Sequence, residues 1–291
     1  MLVKILGAGI CGLTAAIVLK KAGIDVVIYE KRHHIGSSFK STVHGMLNYN
    51  NFFNGDIVDF LCNQVELELE NSFTPIKSLK RYSREYSNVS ILDNKPVIYN
   101  FLRGTDKNSL DSELLRQAIS LGIEIQFGSN IPEESCDVIA SGFKYVDFKG
   151  YGVTYTDIKL DNLSEVKVFF DNDFAPGGYG YILPFKGNKT TIAIFTRKHL
   201  SKLPLDIYFE RFLDILKDRE IVSGGNNIDS IDSGVGGFNL HLSYIRDGKI
   251  YAGVRAGLMT ADYGFAMKES ILSGYLAALS IIHRKNYNIL L

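Results

Sequence analysis

Apolar residues run through positions 2–6, recur with helical spacing through 10–22, and run again through 25–29. A short apolar strand, a helix and a second apolar strand in that order predict a βαβ unit at the start of the chain. Gly7 ends the first strand and Gly23 ends the helix. Residues 33–54 are rich in glycine and asparagine and are expected to cross the surface as a loop; 57–69 are expected to form a short helix.

From 79 to 102 the period changes to two. Stretches 81–86, 89–92 and 96–101 alternate and are separated by turn residues such as Asp93 and Asn94, a hairpin pattern. Leu110, Leu114 and Ala118 then mark one face of a helix over 109–121 that ends at Gly122. Strands follow at 123–127 and 137–140, the second leading into Ser141 and Gly142. Alternation resumes at 152–160, 166–170, 179–183 and 190–195, which predicts a second antiparallel sheet. An amphipathic helix is expected at 206–216, a strand at 249–252, a glycine-bearing loop at 253–264 and a helix at 265–283. Two kinds of sheet therefore interleave along the chain. The simplest solution is an α/β fold with a Rossmann-like nucleotide-binding domain assembled from 1–74, 102–145 and 226–291. A mostly antiparallel β domain, 75–101 and 146–225, would be inserted in two pieces.

Composition narrows the function. The chain has 291 residues, 46% hydrophobic and 22% charged, ordinary values for a globular protein with a sizeable core. Lys+Arg and Asp+Glu are both 32, so broad electrostatic capture of nucleic acid is not expected. Cys11, Cys62 and Cys136 are far apart and form no CxxC pair, which argues for a reduced, cytoplasmic setting without a disulfide framework or zinc ribbon. The apolar run 1–19 imitates a signal peptide, but glycines interrupt it and its pattern continues to Glu30. Residues 270–282 are too short to span a bilayer; the mildly amphipathic tail 281–291 fits a docked terminal helix as well as membrane contact, which is expected to be peripheral at most.

The strongest motif is Gly7-Ala8-Gly9-Ile10-Cys11-Gly12, a GxGxxG between strand and helix, with Glu30 at the end of the next strand. Gly7 permits a tight turn. Gly9 lets a pyrophosphate approach the backbone, where the helix N-terminus offers free N–H groups, and Gly12 lets helix and sheet pack closely. A carboxylate at position 30 suits the two hydroxyls of an unphosphorylated ribose and repels the extra phosphate of NADP.

This spacing, with Ala16, Leu19, Gly23 and Val26 in step, resembles the long fingerprint of FAD- and NAD-binding Rossmann domains. Glu30, Lys31 and Arg32 in succession so near the start look more like FAD enzymes than NAD enzymes. The stretch Leu102-Arg103-Gly104 before Leu110-Asp111 resembles p-hydroxybenzoate hydroxylase-like flavoproteins, which implies Arg103 near the pyrophosphate or flavin. Residues 176–184, PGGYGYILP, resemble the aromatic segment of the geranylgeranyl reductase branch, with Tyr181 where that branch often has Trp; there this strand lines the substrate cavity. Residues 251–258 and 263–266 resemble the family's "GDAAG" loop and the following helix. The implied cofactor contacts are Gly142, Gly253, Gly257, Leu258 and Met259. Val254 stands where the family has Asp and offers no acceptor; Arg255 beside it would face a phosphate or solvent.

The resemblance implies an FAD-dependent oxidoreductase that reduces C=C bonds in an apolar, isoprenoid-like substrate, with a reduced nicotinamide or ferredoxin-type electron donor. A flavin monooxygenase of the same fold and a dinucleotide-binding protein without redox activity remain open; a thiazole-synthase-like enzyme lacks its glycine-rich segment after the second strand. Tyr179, Tyr181, His44 and Cys62 are candidate proton donors. Met46, Phe52, Phe53, Phe185 and the two tyrosines would wall an apolar cavity, or simply pack the core. No G-x-S-x-G, H-E-x-x-H or G-x-x-x-x-G-K-[ST] occurs, and the adjacent pair His33-His34 is poorly placed to share a metal.

Overall fold

The computed structural model describes residues 1–48, 55–69, 72–237, 244–260 and 266–290. Leu2–Leu6 pairs in parallel with Asp25–Glu30 on one side and Val138–Ile139 on the other. Glu124–Phe127 and Lys249–Tyr251 extend the parallel sheet, and Ile245–Arg246 adds an antiparallel edge. The helix Ile10–Lys21 buries nine of its residues, including both sides of its first turns. It is enclosed by Leu110–Ser120 and Met267–His283, so it needs no polar face. A Cβ on Gly274 would lie 2.3 Å from the Cys11 carbonyl oxygen, so that glycine allows the last long helix to close on the first.

Thr42–Leu47, Ile98–Arg103 and Phe73–Ile76 form a separate three-stranded antiparallel sheet. This corrects the expected loop over 33–54. Val43, Met46 and Leu47 are buried against a strand far away in sequence, a partnership that local composition does not reveal. The helix expected over 57–69 stops at Asn63. Beyond it Val65, Leu67 and Leu69 are buried at alternate positions, the signature of extended chain. Asp56 caps that short helix by accepting from the Val58 N–H.

The third sheet has seven strands in the order Ile228–Gly236, Phe148–Tyr155, Lys189–Arg197, Tyr179–Phe185, Glu165–Phe169, Ser78–Tyr82, Asn88–Leu92. All neighbours are antiparallel except Glu165–Phe169 with Ser78–Tyr82. Ile228–Gly236 belongs to this sheet by its register with Phe148–Tyr155, although the expected division grouped 226–291 with the nucleotide-binding part. Alternation sorts the strands' side chains. Val153, Tyr155, Ile192 and Ile194 pack beneath the helix Leu205–Asp218 with its Phe209 and Phe212. Tyr179, Tyr181, Leu183 and Phe195 join the opposite face, against the three-stranded sheet. Among the described residues no helix is long and apolar enough to cross a membrane, and no His/Cys/Asp/Glu group could hold a metal ion.

Candidate functional site

The three fingerprint glycines answer to different neighbours. Gly7 has φ +103° and its Cβ would lie 2.5 Å from the Ala140 carbonyl oxygen; that of Gly12 would lie 2.0 Å from the Gly7 carbonyl oxygen. The protein's own backbone requires both. A Cβ on Gly9 would meet nothing within 4 Å, and Gly9 lines a cavity. Its bareness serves space outside the protein. Gly9 is also the N-cap of the first helix, with no side-chain cap and no acidic residue in the first turn. An uncapped, dipole-positive N-terminus opening on a void is a ready anion site.

Glu30 ends the neighbouring strand, and its carboxylate folds back on this loop. Oε2 accepts the Ala8 N–H at 2.8 Å and Oε1 the Arg32 N–H at 2.9 Å. A carboxylate offers about four lone-pair sites, so hydroxyl donors can still be accommodated. Glu30, Lys31, Arg32 and Gly142 all line the same cavity.

That cavity measures about 720 Å³, within the size range of ligand clefts. It reaches from Gly7, Ala8, Gly9, Ile10 and Cys11 to Tyr179 and Tyr181 on the seven-stranded sheet, and His44, Arg103, Val254 and Met259 also line it. Gly12, Gly253, Gly257, Leu258 and Met46 do not. Gly12 and Gly253 act from behind: the N–H of Gly253, at φ +60°, donates to Ser273 Oγ at 2.6 Å. The Leu258 N–H closes the turn onto the Gly253 carbonyl. Met46 is fully buried in the core around the first helix, and Phe185 packs between the sheets. Cys62 sits half-buried on the helix Ile57–Asn63, away from the cavity lining. Phe52, Phe53 and residues 263–265 lie outside the described residues.

Arg103 is held in place from several sides. Its Nε and Nη2 donate to the two carboxylate oxygens of Asp111 at 2.6 and 3.0 Å, and Nη1 approaches Met267 Sδ at 2.9 Å. Asp111 also accepts the Gly104 N–H. The pair ties the end of a strand to the first turns of two helices. The Phe39 ring faces the guanidinium at 5.6 Å and meets His44 edge-on at 4.9 Å. His44 Nε2 is sealed from solvent without a hydrogen-bond partner. Burial first, and then the Arg103 charge, push its imidazole down to about 3. His44 is thus a neutral group at ordinary pH. Burial also raises the Tyr181 phenol to about 12 and the Cys11 thiol to about 12, so both keep their protons.

In the tail loop Val254 puts an apolar side chain where the resembled family has an acceptor. Arg255 beside it is largely buried. It pairs with Glu133, which also accepts the Tyr251 hydroxyl at 3.0 Å. Asp111, Phe39 and Asp232 were not singled out from the sequence. The acid of Asp111 in the first turn after the Ser109 cap was a visible signal; the placement of Phe39 and Asp232 depends on contacts distant in sequence.

Residues 5–59 match the NAD(P)-binding Rossmann-like domain family. No curated protein matches the chain. Among solved structures, a geranylgeranyl bacteriochlorophyll reductase-like protein from Thermoplasma acidophilum superposes with TM-score 0.76 at 17% identity, over 97% of this chain and 79% of that one. The flavin-dependent brominase Bmp2 gives 0.68 at 13%, over 97% and 79%. A 2-methyl-3-hydroxypyridine-5-carboxylic acid oxygenase (C294A mutant) gives 0.66 at 16%, over 100% and 85%. At these identities the likeness is one of fold. A Rossmann-like parallel sheet and a mostly antiparallel sheet, the two kinds expected, are both present.

Proposed function

We propose that the chain is an FAD-dependent oxidoreductase, and that it acts as a reductase of C=C bonds in an apolar substrate. The observation that carries this reading is the single cavity that joins an uncapped, glycine-lined helix N-terminus to an aromatic sheet face. Gly9 leaves room for the diphosphate, the helix N–H groups bind it, and Glu30 takes the ribose hydroxyls. When bound, FAD supplies hydride chemistry that no side chain provides. The chain's own residues orient and enclose: Arg103 and Asp111 brace one wall, and Tyr179, Tyr181 and Phe195 exclude water from the other.

The neutral His44 does not serve as an imidazolium acid at ordinary pH. Val254 removes one acceptor, a loss of about 0.5–1.5 kcal/mol against a large buried ligand. The division into an FAD-binding part (1–74, 102–145, 226–291) and a substrate part (75–101, 146–225) belongs to the same proposal, with the strand Ile228–Gly236 moved to the substrate part whose sheet it joins. So do a reduced nicotinamide or ferredoxin-type donor and a cytoplasmic setting.

An absorbance spectrum of purified protein, before and after denaturation and after incubation with FAD, tests the cofactor. Flavin bands that co-purify or reconstitute support the reading; a protein that never acquires them refutes it. The oxygenase among the structural neighbours makes monooxygenation the second reading. Substrate-stimulated oxygen consumption with a reduced nicotinamide would favour it over reduction.

A further inference from the structure

Among the described residues, three acidic residues line the cavity. Glu30 holds the glycine loop, and Asp111 holds Arg103 and the Gly104 N–H. The third, Asp232, stands on the seven-stranded sheet directly across the ladder from Gly152. Its oxygens accept the Lys40 N–H at 3.0 Å and the Thr42 hydroxyl. Among the described residues it has no ion-pair partner. The two nearby ammonium groups are engaged elsewhere: Lys40 Nζ on the Asp229 carbonyl at 3.2 Å, and Lys189 Nζ on the carboxylates of Asp229 and Asp106 at 2.8 and 3.4 Å.

The sheet around Asp232 is bare or apolar. Gly150, Gly152 and Gly234 carry no side chain into the cavity, and Ala193, Phe195 and Tyr181 line it beside them. Arg103, across the ladder from Thr42, lines the cavity but is paired with Asp111, and among the described residues no lysine or arginine of the seven-stranded sheet lines it. This end is therefore an apolar slot with one carboxylate that retains free lone pairs.

We propose that this slot takes a slender or flat apolar substrate whose polar end carries a hydrogen-bond donor, a hydroxyl or an amine, held by Asp232, and that it rejects organic acids. The proposal rests on the reading that the other end of the cavity holds FAD. A donor gains a charge-assisted hydrogen bond to Asp232. A carboxylate in the same place meets a like charge.

Farnesol, farnesylamine and farnesoic acid share one skeleton and differ at the polar end. Each is titrated into the protein with and without FAD and read by tyrosine fluorescence, with the absorbance of bound flavin as a second signal. The acid is expected to bind about tenfold or more weaker than the alcohol and the amine, the scale of a like-charge contact. Asp232→Asn keeps the size and one acceptor; it should bring the acid within about threefold of the alcohol and weaken the amine. Gly234→Val, where a Cβ would meet only the Phe39 ring at 3.9 Å, should weaken all three while FAD binding is unchanged. An acid that binds as tightly as the other two, or a ranking that survives Asp232→Asn, overturns the proposal. The predicted ranking in a protein that never binds flavin sinks the cofactor reading and leaves the Asp232 subsite standing. Flavin binding with no discrimination among the probes does the reverse.

Discussion

Glu30 Oε2 accepts the backbone N–H of Ala8 at 2.8 Å, which fastens the acidic end of the second strand to the middle of the glycine loop. The carboxylate therefore shapes the loop as well as facing the cavity. Glu30→Ala is expected to weaken ADP and FAD binding by about 1.5–3 kcal/mol, the range for hydrogen bonds to a charged group. Glu30→Gln, which keeps one acceptor oxygen, should recover part of the loss. Titration with ADP, which needs no flavin ring, reads both; unchanged dissociation constants would mean that the carboxylate serves the loop alone.

The glycines of the fingerprint should separate folding from binding. Gly9→Val places a side chain in open space, so the variant should fold with a near-normal melting temperature and lose ADP and FAD. Gly12→Ala puts a Cβ 2.0 Å from a backbone oxygen and should fail to fold or melt far lower. Paired thermal melts and cofactor titrations check this, and a Gly9→Val protein with normal cofactor content would contradict the site.

Arg103 and Asp111 should behave as one unit. Their side chains are 15% and 2% exposed, so removing one partner strands a charge in the interior. Asp111→Ala is expected to cost about 3–5 kcal/mol of stability, and an Arg103→Met/Asp111→Leu double variant distinctly less. Denaturant unfolding of the singles and the double measures this, and additive losses would show that the pair is not coupled.

His44 makes the fold acid-sensitive. Its imidazole titrates near 3 in the folded protein against about 6.5 in the unfolded chain, with Arg103 and Asp111 as the charged groups around it. Above about pH 6.5 both states are neutral there and His44 adds no pH dependence. As the pH falls from 6.5 toward 3 the unfolded chain takes up a proton that the folded protein refuses, so stability declines. His44→Gln should flatten the stability profile in that window and leave it unchanged near pH 8. A wild-type slope in the variant would assign the sensitivity to other groups.

The three thiols should differ in access. Cys11 and Cys136 are buried, and burial pushes their thiols up to about 12 and about 11. Only Cys62 is half-buried. Iodoacetamide at pH 8 should label the native protein mainly at Cys62, and all three cysteines in denaturant. Mass mapping of the labelled peptides reads the result, and rapid native labelling of Cys11 would show that the first helix opens.

The βαβ unit and its ligand-facing glycine were legible in the chain because every requirement there is local. The turn, the helix start, the close packing and the acidic strand end all lie within thirty residues, and each leaves its mark on residue choice. The alternating strands of the second half were legible for the same reason, since period two is a property of the strand itself. Partnership was not local. Thr42–Leu47 reads as loop because the strand that pairs with it begins at Ile98, and Met46 looks like a cavity wall until the main core closes over it. The Arg103–Asp111 brace, the neutral state of His44 and the lone carboxylate of Asp232 likewise arise only when distant segments meet. Burial and neighbouring charge set those properties, and both belong to the assembled core, not to any stretch of sequence.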